Sequence, residues 1–281
     1  MREIDVRDIG KAVTEACARI ACIYSPDIVK ALKDARGRET DSRSVMALSM
    51  LEENARIAEE ENIPICQDTG MVVVWIKVGQ EVHLVGGSLN EAVTNAVNRA
   101  YTDHYLRASV VADPVFDRKN TKTNTPPVIY AEITEGDKVE VELTAKGFGS
   151  ENMSRIGMLK PAQGIEGVKD FILETIRLAG PNACPPMIVG VGIGGTFDYS
   201  AYLAKRALLR PLQSRNEDER YAALEDELTE KANELMIGPM GLHGRTTALR
   251  VLVETYPTHI AGMPVAVNIC CHACRHERMV F

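Results

Sequence analysis

The sequence predicts a mixed α/β fold, helical over about the first 62 residues and alternating between strands and helices after that. Three observations predict it. Apolar residues recur at helical spacing up to the acidic run Glu59-Glu60-Glu61; β-branched runs begin at MVVVWIKV (71–78); and strand-like and helix-like segments then alternate to the C-terminus. Neither an internal repeat nor a low-complexity stretch interrupts the pattern, and no linker divides it, so residues 1–281 read as one domain.

In chain order, Asp5 is placed to cap a helix whose apolar face is Val6, Ile9, Val13, Cys17 and Ile20. Ser25-Pro26-Asp27 opens a second helix, with proline at its first position. A third runs from about Asp41 with Val45, Leu48, Leu51 and Ala55 on one face. MVVVWIKV and VHLVG, separated by Gly79, read as strands. Ser88-Leu89-Asn90-Glu91 is a capping box, and the helix it opens is expected to reach about Arg107. PVIYAEI and KVEVELTAK, joined by Glu135-Gly136-Asp137, read as a hairpin. A helix from about Ile165 stops at Gly180, and MIVGVGIG forms a strand. FDYSAYLAKRALL and EDERYAALEDELTEKANELM are helices, and two final strands, ALRVLVETY and MPVAVNI, lead to a cysteine cluster.

Composition narrows the function. A chain that is 45% hydrophobic can fill a core, and a formal net charge of −7 argues against nucleic acid or an anionic membrane as partner. An anionic substrate therefore needs a local basic pocket. No apolar run approaches membrane-spanning length, and the N-terminus MREIDVRDIG is acidic where a targeting peptide would be apolar or rich in Arg and Ser. The cytoplasm is the expected location.

Seven cysteines, an odd number without an export signal, point away from a disulfide framework. Cys17 and Cys22 fall on a helix's apolar side and read as small buried hydrophobes. Three other stretches place cysteine among loop-forming residues: Ile65-Cys66-Gln67-Asp68-Thr69-Gly70, Gly180-Pro181-Asn182-Ala183-Cys184-Pro185-Pro186, and Asn268-Ile269-Cys270-Cys271-His272-Ala273-Cys274-Arg275. Metal binding and simple burial both remain open for these thiols. Cys271 and Cys274 make the one C-x-x-C, and the lack of a second pair argues against a zinc ribbon. Three scattered thiolates can instead meet at an iron–sulfur cluster, leaving one iron free of cysteine.

Cys66-Gln67-Asp68-Thr69-Gly70, Asp117-Arg118-Lys119-Asn120-Thr121 with Asn124-Thr125-Pro126, Lys146-Gly147-Phe148-Gly149-Ser150-Glu151-Asn152, Ala183-Cys184-Pro185-Pro186, Gly192-Ile193-Gly194-Gly195-Thr196 and the late Cys-x-Ala-x-Arg occur in one order along nearly the whole chain. Together they resemble the alpha subunit of the class I (iron–sulfur) fumarate hydratases and their L-tartrate dehydratase relatives. The resemblance implies a mixed α/β cluster-binding domain and a four-iron–four-sulfur cluster held by Cys66, Cys184 and Cys271, with Cys270 and Cys274 as bystanders. It implies a dicarboxylate substrate bound near Gln67, Asp68, Arg107 and the Gly147–Gly149 backbone, with Gly149 as the chosen contact.

Asp68 is then a candidate acid/base group, since hydration of fumarate to L-malate needs a proton at the carbon opposite the hydroxyl. A loop aspartate capping Gly70 is the plain alternative. His259, twelve residues before Cys271, matches the family's active-site histidine, whereas His83 and His104 read as surface residues. Arg107 matches a carboxylate-binding arginine, its plain alternative being a helix C-terminal cation. Single-chain relatives carry a second domain with basic substrate-binding residues. A separate beta subunit, in an alpha2-beta2 assembly, is therefore the expected partner here.

Two positions depart from the family pattern: Phe148 stands where glycine is frequent, and His243 where a third glycine is usual. Gly190-Val191-Gly192-Ile193-Gly194-Gly195 also satisfies the dinucleotide fingerprint G-x-G-x-x-G, but no acidic strand end follows, and a tight strand-to-helix turn explains the glycines equally well. L-tartrate dehydration, a non-catalytic cluster sensor or scaffold, and a nicotinamide-dependent dehydrogenase stand as rivals to fumarate hydration.

Overall fold

The computed structural model describes residues 2–281. In chain order its elements are β1 (Arg2–Asp5), α1 (Val6–Cys22), α2 (Pro26–Arg38), α3 (Ser42–Glu61), β2 (Met71–Gly79), β3 (Val82–Val85), α4 (Leu89–Asp103), β4 (Val128–Thr134) and β5 (Val139–Lys146). There follow α5 (Phe148–Glu151), β6 (Arg155–Leu159), α6 (Gly164–Ala179), β7 (Met187–Gly194), α7 (Phe197–Ala207), α8 (Glu219–Glu234), β8 (Ala248–Tyr256), β9 (Met263–Cys270) and β10 (His276–Val280). The fold is mixed α/β, as the sequence predicts.

The chain forms two compact units whose segments interleave. The first comprises the segment up to Ser25, Ala55–Gly147 and Arg275–Phe281; the second comprises Pro26–Asn54 and Phe148–Cys274. One boundary falls inside α3, so it leaves no linker in the sequence.

In the first unit a four-stranded sheet has the order β10-β5-β2-β4. Asp5 caps α1 by accepting a hydrogen bond from the Arg7 amide at 2.8 Å, and Ser88 caps α4 through the Glu91 amide. Ile9, Val13 and Ile20 of α1 and Val93, Ala96 and Val97 of α4 share one core with Val72, Val74 and Ile76 of β2 and Val141 and Leu143 of β5. The spacing of each set matches its element, 3.6 on the helices and two on the strands.

The expected β4–β5 hairpin does not form. β2 lies between them, parallel to β4 and antiparallel to β5. Val72 to Ile76 are all buried, and a strand apolar on both faces belongs at the centre of a sheet, whereas the largely exposed β4 suits an edge. The Gly136 connection crosses the end of β2 at Gly79, where a Cβ would stand 2.3 Å from the Gly136 carbonyl oxygen. The helix α4 ends at Asp103, four residues short of Arg107. The short strands β1, β6 and β10 carry no clean alternation and escape the sequence reading.

The second unit holds a sheet of order β6-β9-β7-β8, with β7 parallel to β8 and antiparallel to β9. Met187, Val189 and Val191 of β7 join Ile172, Ile176, Leu224 and Leu228 of α6 and α8 in a single core. The alternate positions, Gly190 and Gly192, face α7: a Cβ at either would lie 2.1 or 2.0 Å from the Ala204 or Ser200 carbonyl oxygen. The glycine run is therefore the seat of a helix pressed onto a strand. A mixed sheet with β9 antiparallel to β7 is not the parallel sheet that a dinucleotide fold requires, which removes the dehydrogenase reading. Glu225, fully buried on α8, accepts from the Val253 amide at 2.8 Å and from Arg210 at 2.7 Å.

Candidate active site

The segment Ile65–Gly70 connects α3 to β2 and is held by side chains of the first unit. The Tyr101 hydroxyl donates to the carbonyls of Thr69 at 2.7 Å and Gly70 at 3.0 Å. Asn124 donates from Nδ2 to the same Gly70 carbonyl at 3.0 Å, and its Oδ1 accepts from the Ser109 amide at 2.8 Å. Burial pushes the Tyr101 phenol upward, so it stays a neutral donor; the Arg275 charge opposes that shift and the Asp68 charge adds to it. Gly70 sits at φ +82, and a Cβ there would meet the Ala145 backbone at 2.7 Å. Neither Tyr101 nor the pairing role of Asn124 is legible from local pattern, although Asn124 lies within one of the recognised motifs.

Within this loop Cys66 is half-buried, its Sγ lies 3.1 Å from Gln67 Oε1, and Gln67 is exposed. Asp68 Oδ1 accepts from the Gly70 amide at 3.0 Å. The plain capping role is thus real, and it uses one carboxylate oxygen only. Thr69 Oγ1 donates to the Arg107 carbonyl at 3.0 Å, which ties the exposed Arg107 to the same loop. Since α4 has already ended, Arg107 is not a last-turn cation serving the helix dipole. Gly147 follows β5, and Asp68 precedes β2; the pairing Met71↔Lys146 puts them at one end of the sheet.

In the second unit, a 3-10 turn over Gly180–Ala183 delivers Cys184 in a left-handed conformation, φ 50 and ψ 64. An L-residue with a side chain rarely adopts it, and Cys184 is exposed. Cys271 follows β9 directly. Since Ile188 of β7 pairs with Cys270, Cys184 and Cys271 lie at the same end of this sheet.

His259 does not join them. It is exposed in the turn that precedes β9, with Nδ1 accepting from the Ala261 amide at 3.2 Å. The eight residues of β9 separate it from Cys271, a span of about 26 Å at strand rise. Twelve residues of sequence spacing become distance because they are spent on an extended strand. Gly149 lies in α5, and among the described residues nothing comes within 4 Å of a Cβ built on it, so packing within the chain does not explain a glycine there. The departures also become clear: His243 takes φ +69, a conformation glycine adopts without strain, and Phe148 opens α5 with its ring about half exposed.

Among the described residues no three His, Cys, Asp or Glu side chains are grouped so as to hold a metal ion. The donor set can still be tested by its chemistry. All seven cysteines are free thiols; Cys17, Cys22, Cys270 and Cys274 are buried, and Cys66, Cys184 and Cys271 are the three that reach solvent. Burial pushes the Cys17 thiol up to about 12 and raises Cys22 as well, which keeps them protonated and inert. The three accessible thiols, all in loops, fit thiolate ligation, and they coincide with the positions singled out in the sequence.

A mixed α/β chain with three accessible loop thiols, a carboxylate beside one of them and a basic residue tied to the same loop has the parts of a lyase that handles an anionic substrate. The fumarate hydratase (Fumerase) family model matches residues 10–280, and the chain belongs to that family. It is a hydro-lyase, and the reading as a non-catalytic sensor or scaffold falls with that assignment.

Its relatives include a Methanocaldococcus jannaschii protein provisionally named L(+)-tartrate dehydratase subunit alpha, 45% identical over 92% of this chain and 92% of the relative. They also include the L(+)-tartrate dehydratase subunit alpha of Escherichia coli O157:H7 and that of strain K12. Each is 35% identical over 98% of this chain and 91% of its own length. Among the described residues no helix is long and apolar enough to cross a membrane.

Proposed function

We propose that this chain is the alpha subunit of a hydro-lyase that catalyses reversible hydration of fumarate to L-malate, completed by a separate beta subunit in an alpha2-beta2 assembly in the cytoplasm. The observation that carries the reading is the sorting of the cysteines: the three thiols at family ligand positions are the accessible ones. Cys66, Cys184 and Cys271 would hold a four-iron–four-sulfur cluster, which when bound supplies a Lewis-acidic iron free of cysteine. Cys270 and Cys274 are bystanders.

Asp68 takes the proton from the carbon next to the hydroxyl-bearing one during dehydration and returns it during hydration. Gln67, Arg107 and the Gly149 backbone orient the substrate carboxylates, and the open space over Gly149 supports its part. With a net charge of −7 the chain is poorly equipped to hold a dianion alone, so further cations come from the beta subunit. His259 is assigned no step at this chain's own cysteines.

A second reading is dehydration of L(+)-tartrate by the same residues, favoured by the names of the relatives at 35–45% identity. The test is an anaerobic preparation of the complex with its beta subunit, assayed on fumarate, L-malate and L(+)-tartrate. Turnover of fumarate and malate confirms the first reading, and turnover of tartrate alone replaces it with the second. Full activity of the isolated alpha chain would overturn the two-subunit assignment.

A further inference from the structure

Arg275 is 3% exposed, and its carbonyl accepts from Thr144 Oγ1 at 2.6 Å and from the Ala145 amide at 3.2 Å. These bonds fix it at the end of β5, immediately before Lys146 and Gly147. A buried guanidinium is costly unless its donors are used, yet among the described residues its Nε and Nη1 have no hydrogen-bond partner. Such a cation needs an explanation beyond fold stability, because an apolar residue of the same volume would pack there without the desolvation cost.

Gly147 points to the explanation. A Cβ built on it would lie 3.3 Å from Asp68 Oδ2 and 3.5 Å from Arg275 Nη2. The two opposite charges therefore come to the same side of one glycine, which has no side chain to keep them apart. Asp68 Oδ1 is already fixed by the Gly70 amide, and Oδ2 is the oxygen beside Gly147, on the side where Arg275 Nη2 also lies. The amide at Oδ1 and a cation on the Oδ2 side together bias the position and the plane of the carboxylate, and proton transfer to or from carbon depends on both.

We propose that Arg275 is a positioning residue that, across Gly147, holds the Asp68 carboxylate in the orientation its proton transfer requires. The proposal rests on the reading of Asp68 as the acid/base group. It makes Gly147 a spacer required by the pair and Arg275 a residue that acts through Asp68 without touching substrate.

The experiment is a double-mutant cycle on the anaerobic alpha–beta complex, with steady-state kinetics, iron content and the cluster's visible absorption measured for each variant. Arg275→Met is expected to lower kcat by about 10- to 100-fold with KM within about threefold, and Arg275→Lys to recover part of it. In an Asp68→Asn background Arg275→Met is expected to add no further loss, because the residue it acts through is gone. Gly147→Ala, which wedges a methyl between the charges, is expected to lower kcat in the same way and serves if Arg275→Met fails to fold.

Multiplicative losses in the double variant, or a rise in KM with kcat unchanged, would overturn the proposal in favour of a structural or substrate-binding arginine. Iron loss in Arg275→Lys would assign it to the cluster's surroundings and overturn the proposal equally. A wild-type complex inactive on all three acids, or an Asp68→Asn variant as fast as wild type, would instead overturn the functional reading beneath it.

Discussion

The loops that carry Cys66 and Cys184 each present a thiol that reaches solvent, and they are held by different means. The Cys66 loop is tied down by side chains that reach its backbone: Tyr101 and Asn124 on the Gly70 carbonyl, Tyr101 on that of Thr69, and Asp68 on the Gly70 amide. Its one left-handed residue, within 65–70, is a glycine. The Cys184 loop is set by its own backbone. Cys184 is itself left-handed, and so are Met240 and His243 in the segment whose Met240 amide donates to the Pro185 carbonyl at 2.7 Å. A polar scaffold tolerates loss of one bond at a time, whereas a strained backbone responds to changes in φ preference.

The strongest way to break this comparison is to test the common task. Cys66→Ser and Cys184→Ser should each remove the cluster's visible absorption and lower turnover by about 10³-fold, the scale of losing an electrophilic stabiliser. Cys271→Ser should do the same, while Cys270→Ser and Cys274→Ser should leave the absorption in place. Retention of a full cluster in Cys184→Ser would separate the two loops in function.

Gly70→Ala should cost about 2–4 kcal/mol in urea unfolding, because a left-handed alanine at φ +82 would also meet the Ala145 backbone at 2.7 Å. Tyr101→Phe sharpens the polar half of the comparison. It leaves the Thr69 carbonyl without its donor, while Gly70 keeps Asn124, and an expected loss of about 1–2 kcal/mol follows. An unchanged unfolding midpoint would mean that the hydroxyl is not what holds the loop.

The smallest effect is expected at His243→Gly, a change within about 1 kcal/mol towards greater stability, since relief at φ +69 is partly offset by the entropy of the unfolded glycine. A large loss measured by the same unfolding would show that the imidazole's contacts matter more than its backbone angle.

Much of this was legible from local pattern. The caps at Asp5 and Ser88, the proline opening α2, and the glycine closing α6 are read from residue types whose conformational preferences act over a few neighbours. Cys17 and Cys22 were legible as core and Cys66 and Cys184 as loop residues for the same reason, since helix faces and Pro/Gly contexts are local, whereas Cys271 was separated from Cys270 and Cys274 only by the resemblance. The β4–β5 hairpin was misread because turn signals describe a connection without saying what lies between the strands it joins. His259 was placed in the site through the resemblance and its twelve-residue spacing from Cys271, and spacing says nothing of distance once the intervening residues are extended. Tyr101 could not be picked out, and Arg275, although it closes the Cys-x-Ala-x-Arg motif, had no legible role, because their partners lie 32 and 131 residues away in sequence.

By itself the sequence determined the element types, the three reachable thiols and the family, because periodicity, capping and ordered motifs are properties of neighbouring residues. The tertiary structure alone decided the central place of β2, the separation of His259 from Cys271, and the meeting of Asp68, Gly147 and Arg275 at one end of a sheet. The first and last depend on strand order and register, which are set by burying both faces of β2 at once, and the second on β9 running extended between the two residues.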